Sequence, residues 1–175
     1  MKSLKKFNNR KEDGQSMLEF VLVLPVFLLL LFMIIDFGWL FYNMNTVQNV
    51  ARNAARVACV EYTDTCFETD AGGDRVMALT KEYSISDYVA NTDSYTLQER
   101  NILNQVANTL TSNQDTTTVT ITYSGGASVE ERVEGDVTVA VTYEIPSFTG
   151  IIGAREGSMT KDFTATSTFK IEKNG

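Results

Sequence analysis

Histidine is absent from the 175 residues, and cysteine occurs only twice. Histidine is the usual general base and metal ligand near neutral pH, so its absence removes the commonest catalytic and metal-binding chemistry. Two thiols cannot build a four-thiolate zinc site. No glycine-rich phosphate loop and no G-x-S-x-G turn occurs. The acidic pairs Glu61/Asp64, Glu68/Asp70 and Glu130/Glu131 read as solvated surface, the normal place for carboxylates. Asp64–Asp74 offers oxygen ligands, but not at EF-hand spacing. The expectation is a non-enzyme with no cofactor, no metal site and no small-molecule substrate.

Charge is scarce in one place and lopsided elsewhere. From Phe20 to Ile35 sixteen residues carry none. Residues 1–14 hold five basic groups against two acids, and residues 36–175 hold ten against nineteen, within a net charge of −7. A basic flank before an apolar run and an acidic body after it follow the positive-inside rule, so the body is expected outside the cytoplasm. An acidic body also argues against nucleic acid as a partner, because phosphate binding needs a basic surface.

Within the stretch GQSMLEFVLVLPVFLLLLFMIIDFGWLFY, from Gly14 to Tyr42, the run Phe20 to Ile35 is apolar on every face. A core helix of a soluble protein keeps one polar side. About 20 residues at 1.5 Å each cross a bilayer, so the spacing predicts a membrane helix over about 17–41. Trp39, Phe41 and Tyr42 fit an outer interfacial belt. A cleaved secretory signal is the competing reading. It is opposed by the length of the run and by the bulky Asp36-Phe37-Gly38-Trp39 where small residues belong.

The Gly14-Gln15-Ser16-Met17-Leu18-Glu19-Phe20 junction resembles the processing site of type IV pilin-like proteins. The wider run resembles the TadE-like pseudopilins of the tight-adherence pilus. It has Gly-x4-Glu-Phe at Gly14 to Phe20, Leu24-Pro25-Val26 in the apolar run, Asp36-Phe37-Gly38 at the exit, and Ala51-Arg52-Asn53-Ala54-Ala55-Arg56 beyond. The resemblance covers about residues 14–60. It implies that residues 1–14 are a leader removed by a membrane prepilin peptidase between Gly14 and Gln15. It also implies partners: other pseudopilins, the major pilin, and the assembly platform with its ATPase.

Two residues of this run have a physical logic of their own. A carboxylate at the edge of hydrocarbon is costly unless it meets a positive charge. Cleavage at Gly14 would give Gln15 an α-amine, and residues 15 and 19 share a helix face. The amine could come from the same chain or, as the resemblance implies, from a neighbouring subunit. The plainer reading leaves Glu19 idle among headgroups. Pro25 removes a backbone donor and presses on the Val21 carbonyl, which predicts a kink in the membrane helix.

Beyond the membrane, Leu40, Met44, Val47, Val50, Ala51, Ala54, Val57 and Ala58 recur at helical steps, with Asn45, Gln48, Asn49, Arg52, Asn53 and Arg56 opposite. One helix is thus expected over 15–60, its small-residue stripe lying on a sheet, with close packing against other helices in a bundle as the alternative and compatible use. Cys59 and Cys66 lie past the membrane exit, where the inferred oxidising compartment permits a disulfide; two reduced thiols are the alternative. Within 61–93, Ala71-Gly72-Gly73-Asp74 signals a turn, and Arg75–Tyr88 is weakly patterned as a short helix. Thr96-Leu97-Gln98-Glu99 matches a capping box that opens a helix over about 96–111.

After Asn113 the period drops to two. Val119, Ile121 and Tyr123 predict one strand. Val137 through Ile145, ended by Pro146, predict a second, and Phe163, Ala165, Phe169 and Ile171 a third. Ile151-Ile152-Gly153 reads as an exposed or membrane-near loop. The fold class is α+β: a long N-terminal helix packed on a C-terminal antiparallel sheet of three or more strands, as in pilins. The organisation is leader 1–14, helix 15–60 and an extracytoplasmic α+β domain over 61–175. The function expected is that of a membrane-anchored pseudopilin or minor pilin acting in pilus assembly and surface attachment. It would sit in the inner membrane with the N-terminus cytoplasmic, and possible incorporation into the pilus is left open. A single-pass sensor or binding module with an uncut N-terminus is the alternative, and an anchored enzyme has the least support.

Overall fold

The computed structural model describes residues 9–60, 68–69, 71–73, 75–76, 80–124, 135–147, 149 and 160–171. Helix α1 runs unbroken from Asn9 to Val60. At 1.5 Å per residue its 52 residues are about 78 Å long. Next come β1 (Glu68–Thr69), β2 (Arg75–Val76), β3 (Thr80–Ser84), α2 (Ile85–Ala90), α3 (Leu97–Ala107), β4 (Thr118–Ser124), β5 (Asp136–Pro146) and β6 (Thr160–Lys170). Strands β1 and β2 form a small antiparallel pair, with Gly73 in the intervening turn at φ +89°, where a side chain is disfavoured. The main sheet is antiparallel in the order β3-β4-β5-β6.

The outer half of α1 lies along β5 and β6. Its contact face is Val47, Val50, Ala51, Ala54 and Ala58, all buried. Four of the buried positions on this half are alanines, so the helix backbone approaches the sheet closely. Odd-numbered strand residues meet it: Val137, Val139 and Val141 have no exposed surface. Helix α3 packs beside α1 on the same side through Ile102, Leu103 and Val106. Each such fully buried aliphatic side chain stabilises by about 1.5–3 kcal/mol. The Thr96 side chain accepts from the Glu99 N–H while the Glu99 carboxylate accepts from the Thr96 N–H, closing the expected capping box.

The other sheet face carries the even-numbered residues, and among the described residues no helix covers it. Threonines dominate there. Thr138 and Thr168 hydrogen-bond at 2.8 Å and Thr142 and Thr164 at 2.9 Å across the β5–β6 pair. Cross-strand threonine pairs support a solvated sheet face through methyl packing and hydroxyl bonds.

The α+β reading is borne out, with the three expected strands present as β4, β5 and β6. The weak helix over Arg75–Tyr88 is corrected. Residues 75–76 pair with β1, residues 80–84 form a fourth strand on the sheet edge, and the helix spans only Ile85–Ala90. The strand wins because Tyr83 turns inward to α3 while Thr80 and Glu82 turn out, a period of two that five residues barely reveal. The Ile151-Ile152-Gly153 loop lies outside the described residues.

Candidate functional site

The membrane-facing half of α1 stands clear of the head. Apolar residues from Met17 to Ile35, the half-buried Leu24 excepted, are exposed, many by more than half of their surface, and no described element of the head packs on them. A contiguous apolar surface of this size is far beyond what a soluble monomer leaves in water. The segment is long and apolar enough to cross a membrane.

At its lower end, Gly14 sits inside the helix, and a Cβ built there would meet nothing within 4 Å. Glycine inside a helix costs about 0.5–1 kcal/mol relative to alanine. The fold of this chain therefore has no steric use for Gly14. Gln15 and Glu19 share a face, as their spacing predicts: the Gln15 amide Nε2 donates to Glu19 Oε1 at 3.3 Å. Glu19 is solvent-exposed, and among the described residues nothing from the head bonds to it. Helix α1 continues through Pro25 without a break, so the missing donor interrupts the ladder locally and the helix resumes.

At the upper end the arrangement is reversed. Asp36 follows the apolar run directly, yet it is only 1% exposed. Its carboxylate accepts from the Ser147 hydroxyl at 3.1 Å, from the Thr149 backbone N–H at 3.0 Å and from the Thr149 hydroxyl. One turn further on, the Trp39 indole N–H donates to the Pro146 carbonyl at 3.1 Å. Pro146 ends β5, so these bonds fasten the lower end of the sheet to the membrane exit of α1. Trp39 also stacks with Tyr42, their ring centroids 6.1 Å apart. The sequence marks Asp36 as part of an exit motif but not as buried. The hint was a carboxylate beside an apolar run, matched by hydroxyl residues next to a strand-ending proline.

Cys59 is buried on the last turn of α1, with its sulfur 3.1 Å from the Arg56 carbonyl oxygen. Cys66 lies outside the described residues. Elsewhere in the head, Glu99 is the carboxylate with the clearest electrostatic work. Burial pushes its carboxyl up. The Tyr83 hydroxyl at 2.7 Å, the Thr96 donors and the Lys81 ammonium at 3.3 Å outweigh burial and hold it below the usual range.

No curated protein and no solved structure matches the chain. The model of the TadE-like protein family matches residues 14–56, from the glycine of the junction through the exit motif to the second arginine of the outer helix. The matched stretch of the long helix, about a quarter of the chain, is thus similar to TadE-like proteins, and the chain is consistent with a TadE-like pseudopilin.

Proposed function

We propose that the chain is a pseudopilin, or minor pilin, acting in assembly of a tight-adherence pilus. The observation that carries this reading is the TadE-like match beginning at Gly14. It coincides with a glycine that the fold does not need and with a carboxylate, Glu19, that the head leaves exposed. A residue with no use inside a chain is accounted for by a use outside it. For Gly14 that use is recognition by a prepilin peptidase, which accepts a small residue before the cut. For Glu19 it is a positive charge, supplied by the α-amine that the cut creates at Gln15 of the same or a neighbouring subunit. The helix anchors the subunit in the inner membrane, leader inward and head outward. Its partners are the peptidase, other pseudopilins, the major pilin, and the assembly platform with its ATPase.

Intact mass of the protein from membranes tests the reading. A chain beginning at Gln15 is expected, and Gly14→Leu is expected to leave the full-length chain. A mature mass from the leucine variant, or an uncut wild type in cells that hold the peptidase, supports the sensor reading instead.

A further inference from the structure

Two faces of the head that no described element covers carry opposite charge. The face of α1 turned away from the sheet carries amides and two arginines, Arg52 and Arg56, both exposed. Among the described residues neither arginine has an ion pair, and no acid occurs on α1 between residues 40 and 60. The outer sheet face carries four acids against one lysine among its threonines, on even-numbered positions of β3, β5 and β6. One face is cationic and rich in amide donors. The other is anionic and rich in hydroxyls. They lie on opposite sides of the head, and among the described residues neither meets the other within one chain.

Height makes the match specific. The contacts of Asp36 and Trp39 put Pro146 at the lower end of β5, level with the membrane exit. Since α1 packs along β5 and β6, both rise from that level. Arg52 and Arg56 stand about 24 and 30 Å above Asp36 at 1.5 Å per residue. Along β5, Ala140 stands about 20 Å and Asp136 about 33 Å above Pro146. Glu82 opposes Thr120, and Thr120 opposes Ala140, so Glu82 shares the height of Ala140. Arg52 therefore ranges with Glu82; Asp136 lies at the level of Arg56 but has Lys170 directly opposite it on β6, so the Arg52–Glu82 level carries the charge match. Two copies anchored by the same helix in the same bilayer hold these levels equal.

We propose that a second copy of this chain docks here, the amide and arginine face of α1 in one copy seating on the threonine face of the next. The contact is heterologous: each copy keeps one free helix face and one free sheet face. It therefore builds a row of side-by-side subunits in the membrane rather than a closed pair. It rests on the membrane-anchored reading of α1 given above.

The test uses the full chain in bacterial membranes, with a benzoylphenylalanine photocross-linker at Asn49, which stands level with Thr120. Adducts are expected between two copies, mapped by mass spectrometry to β4 and β5 around Thr120. Arg52→Glu with Arg56→Glu lowers the adduct yield by about tenfold, as like charges across an interface suppress pairing. Glu82→Arg with Asp136→Arg does the same. Co-expression of the two double variants restores the adduct from the glutamate-bearing helix to the arginine-bearing sheet, which shows that both variants fold. Adducts on another protein, adducts elsewhere on the chain, a yield indifferent to charge reversal, or no restoration each overturns the proposal. If these occur in cells that still cut the leader and build pili, the assembly function stands and only self-docking falls. A chain that fractionates as soluble overturns both.

Discussion

Two carboxylates bracket the apolar run of α1, and the molecule treats them oppositely. Glu19, before the run, is exposed and among the described residues meets only the amide of Gln15 one turn away. Asp36, after the run, is buried and accepts hydrogen bonds from Ser147 and Thr149, more than a hundred positions later. The bonding capacity of Asp36 is used within the chain, to hold the lower end of the sheet against the helix. That of Glu19 is not so used among the described residues, and we propose that it serves another molecule. On that proposal the difference separates stability from assembly along one helix, and variants on each side test it.

The largest loss of stability is expected at the upper carboxylate. Asp36→Ala leaves the Ser147 and Thr149 donors facing an apolar gap, and bonds to a charged group are worth about 1.5–3 kcal/mol each. Allowing for water reaching the site, we expect a loss of about 2–4 kcal/mol. Asp36→Asn, which keeps the acceptor oxygen, should lose less. Chemical denaturation in detergent micelles measures both. Trp39, the single tryptophan, bonds to the adjoining Pro146 carbonyl and reports locally, so its emission should shift in step with the loss. If Asp36→Ala unfolds at the wild-type midpoint with unchanged emission, the contrast with Glu19 collapses.

The two carboxylates also show what a sequence can disclose. The expectation for Glu19 could be formed from the sequence because its signal is local: a glycine five residues before it and sixteen uncharged residues after it. The burial of Asp36 was not, since its partners lie 111 and 113 residues downstream and no periodicity links them. The same division runs through the fold. Helix α3 announced itself by the Thr96/Glu99 box, and β4, β5 and β6 by long alternation. Strand β3 was hidden by its five-residue length and by Lys81 and Glu82. Its identity rests on Tyr83 reaching Glu99 from a distant helix.

A second variant asks whether the upper end of α1 is also tied within the chain. Cys59 is buried at the last turn, and we expect it to be bridged to Cys66 in exported protein. So short a loop adds about 2–3 kcal/mol in the chain-entropy model. Alkylation before and after reduction checks it. Two thiols freely alkylated in native, unreduced protein would leave packing alone to hold that end, and reduction would then not move the midpoint.

Glu99 extends the comparison to a carboxylate inside the head. Its carboxyl is held below the usual range, so its stabilising effect is full above the unfolded value of about 4.3 and is lost as pH falls through the folded one. Glu99→Gln should cost about 1–3 kcal/mol at neutral pH, from bonds to a charged group. It should also flatten the fall of stability on acidification below pH 4.3. Denaturation midpoints between pH 3 and 7 measure this. A variant that keeps the full acid slope would assign the slope to other acids.

The smallest effect on the subunit and the largest on what it builds are expected at the same residue. Glu19→Gln removes an exposed charge that bonds only to a neighbouring amide, so the isolated protein should unfold within about 0.5 kcal/mol of wild type. Insertion should be as good or better, because an amide is cheaper to desolvate than a carboxylate. Cleavage after Gly14 should persist, the cut being five residues away. What is lost is the charge that meets the α-amine of Gln15 in a medium where that pairing has few substitutes. The expectation is normal stability, normal insertion and a normal mature mass, with weak co-purification of other pilins and few or no pili. Counting pili by electron microscopy beside a membrane-fraction blot reads both halves at once. A variant that builds pili like wild type makes Glu19 an interfacial residue without a partner. One that is destabilised like Asp36→Ala shows that the lower carboxylate too acts within the chain, and the division along α1 is lost.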